Sequence, residues 1–281
     1  MKRIVFPFVL LLLCCIGAQP ILAQEAETFF KAETAEVPII MYHLVTKNNR
    51  FVGKHGITPT ELESDLRYLK ENGYQTVVMA DLIAFVQKGK NLPDKPIVLT
   101  FDDGNFSDYR YLYPLLQKYD MKAVVSVLGK AADECTVLAA KCETPQIFPN
   151  LTWEQIKEMG DTPFIEVQNH SYDLHESGGS GQRKGESAEA YQARFRKDLS
   201  KMQNRVKEMT GKEPDTFTYP LGIVSDNSRP VLEELGILAS LSCMDGVNYL
   251  KEDDPECLYR LKRDNRPSGT PVSVILKKMR R

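Results

Sequence analysis

The sequence predicts a single α/β domain whose parallel sheet closes into a barrel. Three observations carry this. Short, continuous apolar runs read as strands buried on both faces. They alternate about seven times with helix-period stretches, the signature of parallel-sheet units. The 281 residues show no linker-like break and no internal repeat, and at that length a closed barrel is favoured over an open sheet.

After a polar lead over residues 24–36, residues 37–42 (Val-Pro-Ile-Ile-Met-Tyr) form the first buried strand. Thr58 or Thr60 caps a helix carrying Leu62, Leu66 and Leu69 on one face and ending at Gly73. Residues 74–78 are a strand, 80–88 a short helix and 96–101 a strand centred on Ile97-Val98-Leu99. A helix over 109–119 and a strand over 122–128 follow. Thr152 caps a helix over 153–159, and 164–168 is a strand. A Gly/Ser-rich loop, 177–185, leads into a long amphipathic helix over 186–209. Strands at 216–219, 238–242 and 259–263, with helices at 228–235 and 271–279, complete the chain, and residues 133–150 read as a loop.

A net charge of −2 gives no reason to expect a nucleic-acid partner. At the N-terminus, Lys2 and Arg3 precede an apolar run from Ile4 to Ile16, and Ile21-Leu22-Ala23 offers a cleavage site. Residues 1–23 are expected to be a signal peptide, too short to span a bilayer comfortably. The chain is therefore expected to be secreted or associated with the cell envelope, with no membrane span after cleavage. In that setting Cys135, Cys142, Cys243 and Cys257 are expected to form disulfides, with the local pairs Cys135–Cys142 and Cys243–Cys257 the simplest of three connectivities.

In such folds chemistry sits at the C-terminal ends of the strands. Strand 96–101 ends in Asp102-Asp103-Gly104, strand 164–168 leads into His170 and His175, and strand 37–42 ends in His43. Three of the four histidines thus fall at strand ends. Two adjacent ionised carboxylates repel each other, and a divalent cation offsets the repulsion. Two imidazoles and one carboxylate suit zinc and leave positions open for water and substrate. Asp-Asp-Gly alone is an ordinary turn; its coincidence with the histidines makes it a site. A five-residue step between His170 and His175 would face different ways on a helix, so the pair belongs on an irregular turn.

Thr100-Phe101-Asp102-Asp103-Gly104 followed by His170-Ser171-Tyr172-Asp173-Leu174-His175 resembles the NodB-type polysaccharide deacetylases, carbohydrate esterase family 4. The resemblance runs over residues 37–267 and includes the opening Val37 to His43 and the helix start at Leu151-Thr152-Trp153. It implies a distorted (β/α)7 barrel and a divalent metal, usually zinc, on Asp103, His170 and His175. Asp102 takes the general-base position. The five-residue histidine spacing is similar to the branch acting on poly-β-1,6-N-acetylglucosamine. The segment Thr218-Tyr219-Pro220-Leu221-Gly222 lacks the arginine that usually orients the base, and Arg263 or Arg266 could serve instead, or contact substrate. No histidine follows His175, so His43 becomes the candidate general acid, as in that same branch; His55 lies in a Gly-flanked loop. Tyr219 is a candidate substrate contact or a packing residue. The resemblance implies hydrolysis of N-acetyl groups on a polysaccharide. Two other readings remain: a glycosidase using Asp102 and Asp103, whose adjacency fits poorly with the carboxylate spacing such enzymes need, and a sugar-binding module that has lost activity.

Overall fold

The computed structural model describes residues 34–142, 149–176 and 178–279. The expected signal peptide and most of the polar lead lie outside the described residues. The strands are β1 (Thr34–Val37), β2 (Ile39–Tyr42), β3 (Leu44–Val45), β4 (Gly56–Ile57), β5 (Gln75–Thr76), β6 (Pro96–Phe101), β7 (Ala123–Val127), β8 (Ile165–Asn169), β9 (Thr216–Thr218), β10 (Ala239–Leu241), β11 (Asn248–Lys251) and β12 (Asp264–Asn265). The helices are α1 (Pro59–Glu71), α2 (Met79–Lys88), α3 (Tyr113–Tyr119), α4 (Gly129–Ala140), α5 (Trp153–Gly160), α6 (Ala188–Thr210), α7 (Arg229–Glu234) and α8 (Val272–Met279).

The main sheet is parallel and runs β10-β9-β8-β7-β6-β2-β12, with β5 pairing on the lower part of β6. Its two ends are bound by one stretch of chain. Leu261 N–H donates to Ser240 O at 2.8 Å and Ser242 N–H to Leu261 O at 2.9 Å, while Arg266 N–H reaches Met41 O at 3.0 Å. Residues 261–266 therefore bridge β10 to β2, curling the sheet into the distorted barrel that the family resemblance implies. The strand expected at 259–263 is not regular. Pro255–Leu258 is a 3-10 turn, Arg260 takes a left-handed φ of 60°, and Leu261 makes an isolated bridge to Leu241 before pairing resumes in β12. A left-handed residue reverses the pleat and interrupts the ladder.

Strand residues alternate between two cores, which is why the strands read as unbroken apolar runs. Ile97, Leu99 and Phe101 of β6 join α1, α3 and α5 in one cluster. Val98, with Ile39 of β2 and Val124 of β7, packs with Leu82 and Val86 of α2 in the other. Thr58 is the cap of α1, in a reciprocal capping box with Glu61, and Thr152 caps α5 in the same way with Gln155. Helix α4 occupies much of what the sequence suggested was a loop, and β1 extends the domain into the polar lead by pairing antiparallel with β11. Among the described residues no helix is long and apolar enough to cross a membrane.

The four cysteines are free thiols, which corrects the expected disulfides. Cys135 lies in α4 and Cys142 just beyond its end, a rise of about 10 Å at 1.5 Å per residue, past the roughly 7 Å a disulfide tolerates between Cα atoms. Cys243 sits 3.7 Å from Met41 Sδ in the mouth of the barrel, whereas Cys257 packs beside the α2 cluster with its thiol facing Lys251 O.

Candidate active site

The C-terminal ends of β2, β6 and β8 open into a cleft of about 680 Å³ lined by His43, Asp102, Asp103, His170 and His175. All five residues expected to carry chemistry are brought together there.

Asp102 continues β6, its N–H donating to Tyr42 O at 3.1 Å. Asp103 and Gly104 then turn sharply, with φ of 77° and 61°. Gly104 has no alternative, because a Cβ there would lie 3.0 Å from Val127 Cγ1. Asn105 and Asn150 tie down the turn by donating to the carbonyls of Asp102 (3.2 Å) and Asp103 (3.0 Å).

The histidine loop is held by its own polar residues. Ser171 takes a φ of 77°, and its N–H donates to Asn169 Oδ1 at 2.7 Å. The N–H groups of Tyr172 and Asp173 donate to the two carboxylate oxygens of Asp198 on α6, at 2.8 and 2.9 Å. This folding returns His175 to the face of His170, with ring centroids 5.1 Å apart. His170 Nδ1 lies 2.8 Å from Thr218 O, which leaves Nε2 free to ligate.

One donor atom each from Asp103, His170 and His175 falls within 4.8 Å of the others, a metal-ligand arrangement. Both imidazole Nε2 atoms face Asp103 Oδ1, His175 at 3.1 Å and His170 at 3.5 Å. That oxygen is sealed from solvent and accepts no well-formed hydrogen bond. A buried carboxylate oxygen facing two imidazoles without being satisfied by either is an arrangement that a divalent cation between them would satisfy. The residues therefore fit a divalent cation. Burial works to raise the Asp103 pKa, but the facing imidazoles of His170 and His175 outweigh it and hold the carboxyl far below the usual range. The same contact with Asp103 raises His175.

Asp102 is paired on its other side. Arg263 is fully buried and donates to Asp102 Oδ1 from Nη1 at 2.7 Å and to Oδ2 from Nη2 at 2.9 Å. Its Nε is fixed by Ser242 O at 2.8 Å and Nη1 also reaches Thr100 Oγ1 at 3.1 Å. Burial opposes ionisation of Asp102, yet Arg263 and His170 more than offset it and the pKa is lowered. Arg263 is thus fully buried and committed to Asp102, the partner the sequence left open between Arg263 and Arg266. Arg266 lies away from the surface, paired with a different acid. It is buried, with Nε on Asp65 Oδ2 at 2.6 Å, and locks α1 to the C-terminal segment. Tyr219 belongs to the core: it packs against Phe217, and its hydroxyl shares a 2.6 Å hydrogen bond with Ser228. Trp153 is buried too, with its indole N–H on Asp133.

His43 is half-buried, and its Nδ1 is enclosed without a hydrogen-bond partner. Burial pushes its pKa down, against the pull of Asp102 and Asp103. Its ring meets His55 edge to face, with centroids 4.8 Å apart. His55, Phe51, Leu221 and Cys243 all line the cleft and were not expected there. No local pattern marks His55 or Phe51; only the pairing of β3 with β4 folds their loop back over the site. Asp198 and Thr218 are equally unmarked, since they act on the backbone and on a ring nitrogen from distant elements.

The polysaccharide deacetylase family model matches residues 89–240. Over 258 residues the chain is 24% identical to YxkH of Bacillus subtilis (strain 168), whose name gives polysaccharide deacetylase as an unproven activity; the match spans 92% of this chain and 82% of that one. It is 24% identical over 208 residues to a poly-beta-1,6-N-acetyl-D-glucosamine N-deacetylase of Staphylococcus aureus (strain MSSA476), covering 70% and 68% of the two chains. A solved de-N-acetylase from Aggregatibacter actinomycetemcomitans shares the fold with a TM-score of 0.72 at 23% identity, over 86% of this chain and 99% of that one. A family match over more than half the sequence, with the metal-type triad and a second, buried carboxylate on the strand ends it covers, shows that the chain belongs to the polysaccharide deacetylase family, hydrolases that remove acetyl groups from glycans.

Proposed function

We propose that this chain hydrolyses N-acetyl groups of an exported, N-acetylglucosamine-containing polysaccharide, with a divalent metal, zinc by the donor set, held by Asp103, His170 and His175. The carrying observation is the division of labour within the acid pair: Asp103 faces two imidazoles, while Asp102 faces a buried arginine. A cation bound at the triad would supply Lewis-acid polarisation of the acetyl carbonyl and of the attacking water.

The chain's own residues account for the proton movements. Asp102, kept ionised by Arg263, accepts a proton from the water as its oxygen attacks the acetyl carbon. Arg263 holds both carboxylate oxygens, so the base cannot rotate away. His43 approaches from the β2 side as the proton donor to the leaving nitrogen when the carbon–nitrogen bond breaks, giving acetate and a free amine on the sugar. Burial lowers the pKa of His43, and the Asp102 and Asp103 carboxylates oppose that by favouring its protonated form. The apolar N-terminal run supports export, and the similarity to poly-beta-1,6-N-acetyl-D-glucosamine N-deacetylases supports N-acetylglucosamine as the sugar that is deacetylated.

Acetate release from β-1,6- and β-1,4-linked N-acetylglucosamine oligomers and from peptidoglycan, with metal content measured in parallel, tests the reading. Turnover should appear on at least one acceptor and vanish, with the metal, in H175A and D103N. Absence of acetate release from all three by metal-loaded protein would refute it.

A further inference from the structure

The geometry points to residues 46–55, the loop between β3 and β4, as a cationic wall of the cleft that selects glycans carrying carboxylate or phosphate groups next to the acetylated sugar. This deepens the deacetylase reading and rests on it. The loop, Thr46-Lys47-Asn48-Asn49-Arg50-Phe51-Val52-Gly53-Lys54-His55, holds three Lys or Arg residues and no acid. Phe51, Lys54 and His55 line the same cleft as Asp102 and His175.

The placement of these groups is built. Arg50 N–H donates to Asn48 Oδ1 at 3.1 Å and Phe51 N–H to Asn48 O at 3.0 Å. Gly53 N–H donates to Gly56 O at 2.8 Å, and a Cβ on Gly56 would fall 1.9 Å from Phe51 O, so the turn closes only on glycine. The C-terminal segment clamps the loop from outside, through Ser268 N–H on Gly53 O at 2.9 Å and Asn265 Nδ2 on Lys54 O at 2.7 Å. Phe51 is nonetheless 61% exposed. An apolar ring held open to water beside a catalytic cleft offers a face to the C–H side of a sugar ring.

The charges decide the class. Among the described residues, the side chains of Arg50 and Lys54 form no ion pair, whereas every acid lining the cleft has a cationic or imidazole neighbour. Asp102 is held by Arg263, Asp103 faces His170 and His175, and Asp245 is bonded to Lys278. Lys47 lies 5.8 Å from the Tyr111 ring at the loop's foot. The loop therefore sets the cation of Lys54 in the cleft lining, with Arg50 next to Phe51 in the same turn, and no acid among the described residues pairs with either. A polymer made solely of neutral N-acetylated sugars gains nothing from it, while an anionic substituent one sugar from the acetyl group gains both attraction and orientation.

The test compares a neutral N-acetylglucosamine trimer with the same trimer bearing a lactyl carboxylate, or a phosphate, on the neighbouring sugar. At about 20 mM salt, kcat/KM should favour an anionic trimer by roughly 5–10-fold, chiefly through KM, and the ratio should fall below about twofold near 0.5 M salt as screening sets in. In R50Q/K54Q the ratio should approach one at low salt. Comparing the two anionic arms identifies which group the wall reads. A ratio of one in the wild type, or a preference that persists in R50Q/K54Q, overturns the assignment. Binding of the trimers by calorimetry runs alongside: if no trimer is turned over, the deacetylase reading fails, and the ratio of dissociation constants still decides the role of the loop.

Discussion

Arg263→Met is the sharpest probe of the proposed mechanism, because it removes the partner of Asp102 while keeping an unbranched side chain in the cavity. The pair is fully buried, with two contacts of 2.7 and 2.9 Å. Removing one member of a buried pair leaves an uncompensated charge worth about 3–5 kcal/mol. Asp102 escapes that cost by binding a proton, and at about 1.4 kcal/mol per pKa unit its pKa should climb by roughly two to three units. In the wild type the pKa is depressed, so the pair stabilises the fold above the ordinary carboxylate range, and this is lost as pH falls through the depressed value. In the variant the sign inverts, and stability should fall as pH rises through the elevated value. The assay is acetate release across pH, with thermal unfolding of the same samples. The acid limb of kcat/KM should move up by about two to three units, so the full loss of roughly 100- to 1,000-fold appears only below the wild-type limb and shrinks as pH rises past the limb of the variant. A folded R263M whose acid limb coincides with that of the wild type would refute the role of Arg263.

Other outcomes follow from the same geometry. H43A should lower kcat by about 100- to 10,000-fold with metal content unchanged, and the basic-side decline of kcat/KM should disappear; loss of metal would mean that His43 belongs to the ligand set. Glu166 is half-buried and accepts the N–H groups of Met79 and Ala80; desolvation, with help from Asp215, raises its pKa to about 7. Its folded value exceeds the unfolded one, so wild-type stability should fall between about pH 4.5 and 7 by on the order of 2–3 kcal/mol, and E166Q should flatten that slope in thermal unfolding. G104A forces a methyl against Val127 in a left-handed turn; it should destabilise by about 1–3 kcal/mol, read as a lower denaturant midpoint with unchanged slope.

The parallel α/β architecture was legible because β6 and β7 are buried on both faces and so are apolar at every position but Thr100 and Ser126, and because Thr58 and Thr152 announce their helices through capping boxes. The interrupted strand near Leu261 was not legible: its departure depends on a single left-handed residue, Arg260, which carries no compositional mark. Helix α4 was missed because Gly129 opens it without a side-chain cap.

By itself, the sequence determined which groups reach the cleft, since strand ends fix the positions of Asp102, Asp103, His170 and His43 along the chain. The expected disulfides failed the same kind of reasoning, because spacing says nothing about the direction of Cβ vectors. Only the tertiary structure decided which of two arginines meets the base. Arg263 and Arg266 are three residues apart on one irregular segment, and the closing of the barrel turns the first inward to Asp102 and the second outward to Asp65. It also decided the walls of the cleft. Phe51, Lys54 and His55 come within reach of substrate through the pairing of β3 with β4, a long-range contact that local sequence does not encode.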